Sequence, residues 1–211
     1  MSSQLPQLYP LTDVAISGLS HSEQVERLSL GGASVIQLRE KNLSVSAFYR
    51  QARAALAVAK RRDVRIIIND RVDLALALGA DGVHLGQDDI PPEVARRLLG
   101  DRSIIGFSTH NEDQAREAVN LPVDYLAIGP IFLTRTKADT ASEVGLDGLR
   151  AVRLTVGTMP LVAIGGITVA NAREVLEAGA DSVAVISGLL SDPDEIVVRT
   201  RHLLRSLTRS E

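Results

Sequence analysis

Residues 35–42 read VIQLREKN and place an amide, a guanidinium and an ammonium, Gln37, Arg39 and Lys41, two residues apart. In a strand that spacing puts all three on one face with Val35, while Ile36 and Leu38 point the other way. A forked guanidinium and a mobile ammonium on one face suit a phosphate or diphosphate. Two acidic stretches follow, IIINDRVD with Asp70 and GQDDIPP with Asp88 and Asp89. Asp70 and Asp89 could converge on a hard cation such as Mg2+, which takes few protein oxygens and completes its octahedron with water and phosphate. Each could equally cap the helix that follows it, and Asp88 competes with Asp89 as the ligand. Lys137 brings a third positive charge. A plain ion-pair network, Arg39 with Asp70 and Lys41 with Asp89, is the bland alternative, but such networks seldom add much stability for their desolvation.

Glycine pairs carry a second anion signal. Gly165-Gly166 and Ser187-Gly188 each follow an apolar run, where backbone N–H groups can cradle a phosphate if no side chain intervenes; tight turns alone would also use them. No nucleophile stands out. Ser108 in GFSTH has His110 two residues along a loop, weak grounds for a Ser–His pair, and its hydroxyl reads better as a ligand contact. His84 lies inside an apolar strand and reads as a satisfied core histidine; His21 and His202 read as exposed on outer helices. The inventory fits a Mg-bound diphosphate beside a separate monophosphate.

These residues need a scaffold that brings them together. Short β-rich runs alternate with amphipathic stretches along the whole chain. Strands are expected at Leu8–Thr12, Ser34–Arg39, Arg65–Asn69, Gly82–Leu85, Ser103–Ser108, Tyr125–Ile128, Pro160–Ile164 and Ser182–Ile186. Helices are expected at Ser22–Leu30, Ser46–Arg62, Val72–Leu78, Pro92–Leu99, Glu112–Val119, Leu149–Thr155, Val169–Ala178 and Pro193–Leu207. Such alternation implies parallel strands joined by right-handed crossovers. A recurring joint, a glycine just after a helix and then a strand, appears in GGASVIQL, GADGVHLG and GADSVAVI. The expected fold is α/β, a single-domain (β/α)8 TIM barrel over residues 1–211, compact beside the ~250 residues typical of the class. An open doubly wound sheet is the alternative and explains the eight units less well. In a barrel the site lies at the C-terminal strand ends. That filter retains Gln37, Arg39, Lys41, Asn69, Asp70, Gln87, Asp89, Ser108, Thr134, Thr136, Lys137, Gly165, Gly166, Ser187 and Gly188.

Composition excludes several classes of function. The 211 residues are 45% hydrophobic and 23% charged, enough for a full core, with no linker or low-complexity tract to divide them. A net charge of −3 and 3% aromatics argue against a dedicated nucleic-acid binder. The absence of cysteine rules out disulfides and thiol catalysis and is compatible with a cytoplasmic location. MSSQLPQLYP does not read as a secretory signal, and no run approaches the ~18 apolar residues of a membrane span. The sequence does not set the oligomeric state, and a homo-oligomer is compatible with it.

The stretches QLREK, IIND, GVHLGQDD, GFSTH, DYLAIGPIFLTRTKADT, VAIGGIT and the Ser187-Gly188 turn together resemble the thiamine phosphate synthase family over the whole chain. The resemblance implies a Mg2+-dependent transferase. Its members join 4-amino-5-hydroxymethyl-2-methylpyrimidine diphosphate to a thiazole monophosphate, forming thiamine phosphate and releasing diphosphate. It also implies a dissociative course: diphosphate leaves the pyrimidine methylene, the electron-rich ring stabilises the cation, and the thiazole nitrogen captures it. Carried over by position, the metal carboxylates are Asp70 and Asp89. The diphosphate and pyrimidine contacts are Gln37, Arg39, Lys41, Asn69, Ser108 and Lys137, with Arg39, Lys41, Ser108 and Lys137 in the catalytic group. Thr134, Thr136, Gly166, Ile186 and Ser187 match the thiazole-phosphate positions, and Gly188 is a minor variation beside them. The polar loop Thr134–Gly145 is long enough to move over bound ligand. A thiazole tautomerase of the same fold, needing neither diphosphate nor metal, is the nearest alternative. A non-catalytic sensor of a phosphorylated ligand is the alternative from another class.

Overall fold

A computed structural model describes residues 5–133 and 142–208. Eight strands run in order around a closed, all-parallel barrel: β1 (Leu8–Thr12), β2 (Val35–Leu38), β3 (Arg65–Asn69), β4 (Gly82–Leu85), β5 (Ile104–Thr109), β6 (Tyr125–Ile128), β7 (Leu161–Ile164) and β8 (Ser182–Val185). Pairing of Leu8 with Val183 closes the ring. The main outer helices are α2 (His21–Leu30), α3 (Val45–Arg62), α4 (Val72–Leu78), α5 (Pro92–Leu99), α6 (Glu112–Ala118), α7 (Gly145–Val156), α8 (Ala172–Glu177) and α10 (Ile196–Thr208).

Strand alternation divides the core in two. Ile36, Leu38, Ile66, Ile68, Val83 and Leu85 point outward and are sealed under the helices. Tyr9, Leu11, Val35, Ile67, Ile104, Tyr125, Ala127, Val162 and Ala184 point inward and fill the barrel. Two residues beyond Val35, Ile67 and Gly106 on the inward faces of β2, β3 and β5 come Gln37, Asn69 and Ser108, so the parity that packs the barrel's interior also delivers polar groups to its mouth. At the opposite end a device repeats. Asp81, Asp124 and Asp181, each just before an even-numbered strand, accept the backbone N–H of Ile66, Ile105 and Leu161 at 2.7, 2.7 and 2.8 Å. These bonds satisfy donors at strand starts that the parallel ladder leaves open. The glycine joints recur as expected, with Gly32, Gly79 and Gly179 at positive φ.

Several expectations are corrected. Two single-turn helices, α1 (Val14–Ser17) and α9 (Ser187–Leu190), follow β1 and β8; four residues carry too little periodicity to be read. Helix α7 begins at Gly145, not Leu149. Helix α8 begins at Ala172, not Val169, because Asn171 folds back to accept from Thr168 N at 2.7 Å and donate to the Gly166 carbonyl at 3.1 Å. His21 is wholly buried rather than exposed. Its ring tilts against Phe48 of α3 with centroids 5.5 Å apart; Nδ1 lies 2.7 Å from Thr12 Oγ1, and Nε2 faces Glu40 at 3.4 Å. His202 is exposed, as expected. Among the described residues no helix is long and apolar enough to cross a membrane.

Candidate active site

A cavity of about 730 Å3 opens at the C-terminal ends of the strands. Gln37, Arg39, Asn69 and Ser108 line one arc of its wall, from β2, β3 and β5; Gly166, Ile186 and Ser187 line another, from β7 and β8. A neighbouring cleft is bordered by Arg39, Lys41, Asp13, Gly166 and Ser187, so the basic row and the glycine turn share one mouth. Thr134, Thr136 and Lys137 lie outside the described residues, as does the loop they belong to up to residue 141.

The ion pairs differ from the network named above as the bland alternative. Arg39 donates to Asp13 at 2.6 Å, and Lys41 to Asp70 at 2.5 Å. Asp13 does two jobs: its other oxygen caps α1 by accepting from Ile16 N at 3.2 Å. The Arg39–Asp13 pair is largely buried, its side chains 13% and 12% exposed, so the guanidinium is held in one direction at the cavity wall. Asp13 gave no signal beyond its type, because its partner lies 26 positions away in sequence.

Asp70 occupies a left-handed conformation (φ 62°), stabilised by its N–H donating to the His84 carbonyl at 2.8 Å. A non-glycine residue there costs about 1–2 kcal/mol. The strain turns its carboxylate toward Lys41 and Asp89. Asp89 accepts from Gly86 N at 2.7 Å. Burial pushes its carboxyl above the usual range and the neighbouring Asp70 pushes it further, while the Gly86 N–H works against both. The two expected metal carboxylates therefore converge, and Asp89 is the member of the Asp88-Asp89 pair that meets Asp70.

Gly166 has φ 64°, and a Cβ there would stand 2.7 Å from Phe132 Cβ and 2.9 Å from the Leu133 carbonyl. Glycine is thus demanded by the turn itself as well as by any approaching phosphate. Ser108 and His110 do not pair, in line with the weak sequence grounds for it: His110 Nδ1 lies 2.8 Å from the Gly129 carbonyl, whereas Ser108 Oγ lies 2.8 Å from His84 Nε2.

His84 belongs to a chain of polar groups across the barrel interior. Its Nδ1 is 2.9 Å from Tyr125 OH, which is 3.0 Å from Tyr9 OH, which accepts from Gln37 Nε2 at 3.1 Å. The His84 and Tyr125 rings stack, and the two tyrosines meet edge to face. Burial pushes both phenols up, so each keeps its proton. Tyr9 and Tyr125 were not singled out from sequence. The available signal was that two of only three tyrosines sit at inward positions of strands in an aromatic-poor chain.

With this geometry in hand, known proteins supply a comparison. A model of the family described as thiamine monophosphate synthase matches residues 8–189. A thiamine-phosphate synthase of Chloroflexus aurantiacus is 48% identical over 198 residues, covering 93% of this chain and 90% of that protein. One from Clostridium novyi is 46% identical over 189 residues, covering 89% and 92%. The solved structure of a thiamine phosphate pyrophosphorylase from Pyrococcus furiosus superposes with a TM-score of 0.86 at 37% identity over 95% of both chains. The chain is a transferase that belongs to the thiamine monophosphate synthase family.

Proposed function

We propose that this barrel joins 4-amino-5-hydroxymethyl-2-methylpyrimidine diphosphate to a thiazole monophosphate, forming thiamine phosphate and releasing diphosphate. The observation that carries the reading is the convergence at one mouth of Arg39 and Lys41 with the carboxylates Asp70 and Asp89, on a cleft that also reaches the Gly166 and Ser187 turns. That is provision for a metal-bound diphosphate and for a second, separate phosphate. A thiazole tautomerase would give the acidic pair and basic row no task.

The acidic pair fits Mg2+. Two convergent carboxylates, one made costly to ionise by burial and by the other, form a hard-oxygen donor set that a divalent cation relieves. Among the described residues no group of three or more His, Asp or Glu could hold a metal ion, which suits a cation that takes its remaining ligands from water and diphosphate. Asp70 and Asp89 would hold Mg2+, which when bound neutralises charge on the diphosphate.

In the proposed course, the bond between the pyrimidine methylene carbon and the bridging oxygen breaks, its electron pair leaving with diphosphate. The thiazole nitrogen then gives its lone pair to that carbon. Arg39, fixed by Asp13, and Lys41, with Lys137, meet negative charge as it grows on the leaving oxygens, and the Ser108 hydroxyl donates beside them. Gln37 and Asn69 hold the pyrimidine, while Gly166, Ile186, Ser187, Thr134 and Thr136 hold the thiazole phosphate so that its nitrogen faces the methylene carbon. No side chain has to attack in this course. The experiment is a diphosphate-release assay with each substrate alone and with both. Release that requires both substrates and Mg2+ is expected; isomerisation of the thiazole without release would favour the tautomerase, and saturable binding without turnover the sensor.

A further inference from the structure

The hydrogen-bond chain from Gln37 to Ser108 has a property its members lack singly. A phenol donates once, and a neutral imidazole donates at one nitrogen and accepts at the other. A buried phenol that gave its proton to no neighbour would leave a costly unpaired donor, so protons along Gln37–Tyr9–Tyr125–His84–Ser108 all point the same way. As Gln37 is placed, Nε2 gives to Tyr9, Tyr9 to Tyr125, Tyr125 to His84 Nδ1, and His84 Nε2–H to Ser108. The ends are then opposite in character. Gln37 presents Oε1, which has no partner among the described residues although the residue is only 2% exposed and lines the cavity. Ser108, also at the cavity, has accepted from His84 and keeps its own proton to give. Reversing the chain would swap both ends at once: Gln37 would offer an N–H2, and Ser108 only a lone pair.

We propose that this relay makes the site choose an aminopyrimidine diphosphate over its oxo analogue, by coupling the acceptor at Gln37 to the donor at Ser108. The proposal rests on the function proposed above, in which Gln37 meets the pyrimidine and Ser108 the diphosphate. An exocyclic amine donates to Gln37 Oε1 and a diphosphate oxygen accepts from Ser108, so both ends of one substrate demand the same direction. An oxo ring demands the reverse at Gln37, which leaves Ser108 facing diphosphate with a lone pair. The wrong ring is penalised twice, the second time at the leaving group. Tyr9, Tyr125 and His84 are positioning residues in this scheme.

The backbone is shaped to keep the relay whole. A Cβ at Gly106 would lie 2.0 Å from Tyr125 Cζ, 2.3 Å from its hydroxyl and 2.5 Å from His84 Nδ1. The strand thus gives up a side chain where the phenol and imidazole meet.

Tyr125→Phe tests the relay, because it cuts the chain at a residue that does not line the cavity. The measurement is the ratio of kcat/KM for the amino substrate to kcat/KM for the corresponding oxo diphosphate, at one fixed pH, with Mg2+ and saturating thiazole phosphate. A wild-type ratio of about 10³ or more is expected of a site built around a specific hydrogen bond. Tyr125→Phe should reduce the ratio at least about tenfold, the worth of one hydrogen bond, and Tyr9→Phe, which frees the Gln37 amide directly, at least as much. Simple loosening of the barrel would lower both rates and leave the ratio in place. A folded Tyr125→Phe or Tyr9→Phe protein with the wild-type ratio would overturn the coupling alone. Wild-type protein that turned over neither compound would overturn the substrate reading and the coupling with it.

Discussion

Asp89→Asn separates a metal ligand from a structural partner. Asparagine preserves the shape and can still accept from Gly86 N through its Oδ1, but it removes a negative charge from beside Asp70. That charge is disfavoured where it stands, by burial first and by Asp70 next. No ion pair among the described residues is lost, since Lys41 pairs with Asp70. The metal-free variant should be between neutral and about 1 kcal/mol more stable than wild type, the scale of such surface electrostatic terms. For a chain of this length that is a rise in Tm of up to about 4 °C. Turnover should fall about 10²–10³-fold, as expected for losing one group that stabilises developing charge. The assay pairs thermal melts in chelator, repeated across a Mg2+ titration, with diphosphate release. Mg2+ should raise the wild-type Tm more than that of the variant. A fall in the metal-free Tm of more than about 6 °C, corresponding to the ~3 kcal/mol or more of a broken buried ion pair, would refute the reasoning.

Arg39→Met should lower single-turnover rate by about 10²–10³ and also destabilise the fold by leaving Asp13 unpaired. Adding Asp13→Asn should recover the Tm but not the rate, and recovery of both would make Arg39 structural. Ser187→Ala should raise KM for the thiazole phosphate more than KM for the pyrimidine diphosphate, and equal effects would remove the β8 turn from the phosphate site; it is a cleaner probe than Gly166→Val, which the left-handed turn and Phe132 would strain anyway. His21 adds a pH dependence: burial lowers its pKa below the ordinary 6.5, so protonation favours the unfolded chain. Its contribution is intact above about pH 6.5 and is lost as pH falls toward the lowered folded value. Melts of His21→Gln from pH 7 to 5 should show a shallower decline than wild type, and identical slopes would exclude His21 as the group responsible.

The barrel was legible because its signals are local. Alternation fixed β1, β3, β4 and β6 to the residue, and the glycine joints marked the corners before β2, β4 and β8. Gln37 was legible for the same reason, since period two put it on the face that Val35 buries in the barrel; Arg39 and Lys41 lie beyond the strand, which ends at Leu38 rather than Arg39. What strand parity could not reveal was pairing across the ring. Asp13 meets Arg39 and His84 meets Ser108 through closure of the barrel, a long-range event with no spacing of its own. His21 looked exposed because its helix is short and polar at the start, whereas the crossing of α2 with α3 buries it under Phe48. The convergence of Asp70 with Asp89 followed from adjacent strands, but the left-handed turn that aims Asp70 had no sequence mark, since aspartate also suits ordinary caps.

The central claim is that this mouth expels diphosphate and joins two rings in one event. Rapid-quench mixing of excess protein with both substrates and Mg2+, sampling diphosphate and thiamine phosphate together, tests it most directly. The two products should appear in equal amounts at one rate, stop when chelator is present from the start, and resume when Mg2+ is restored. Diphosphate appearing without thiamine phosphate, or thiamine phosphate forming unchanged in chelator, would contradict the account.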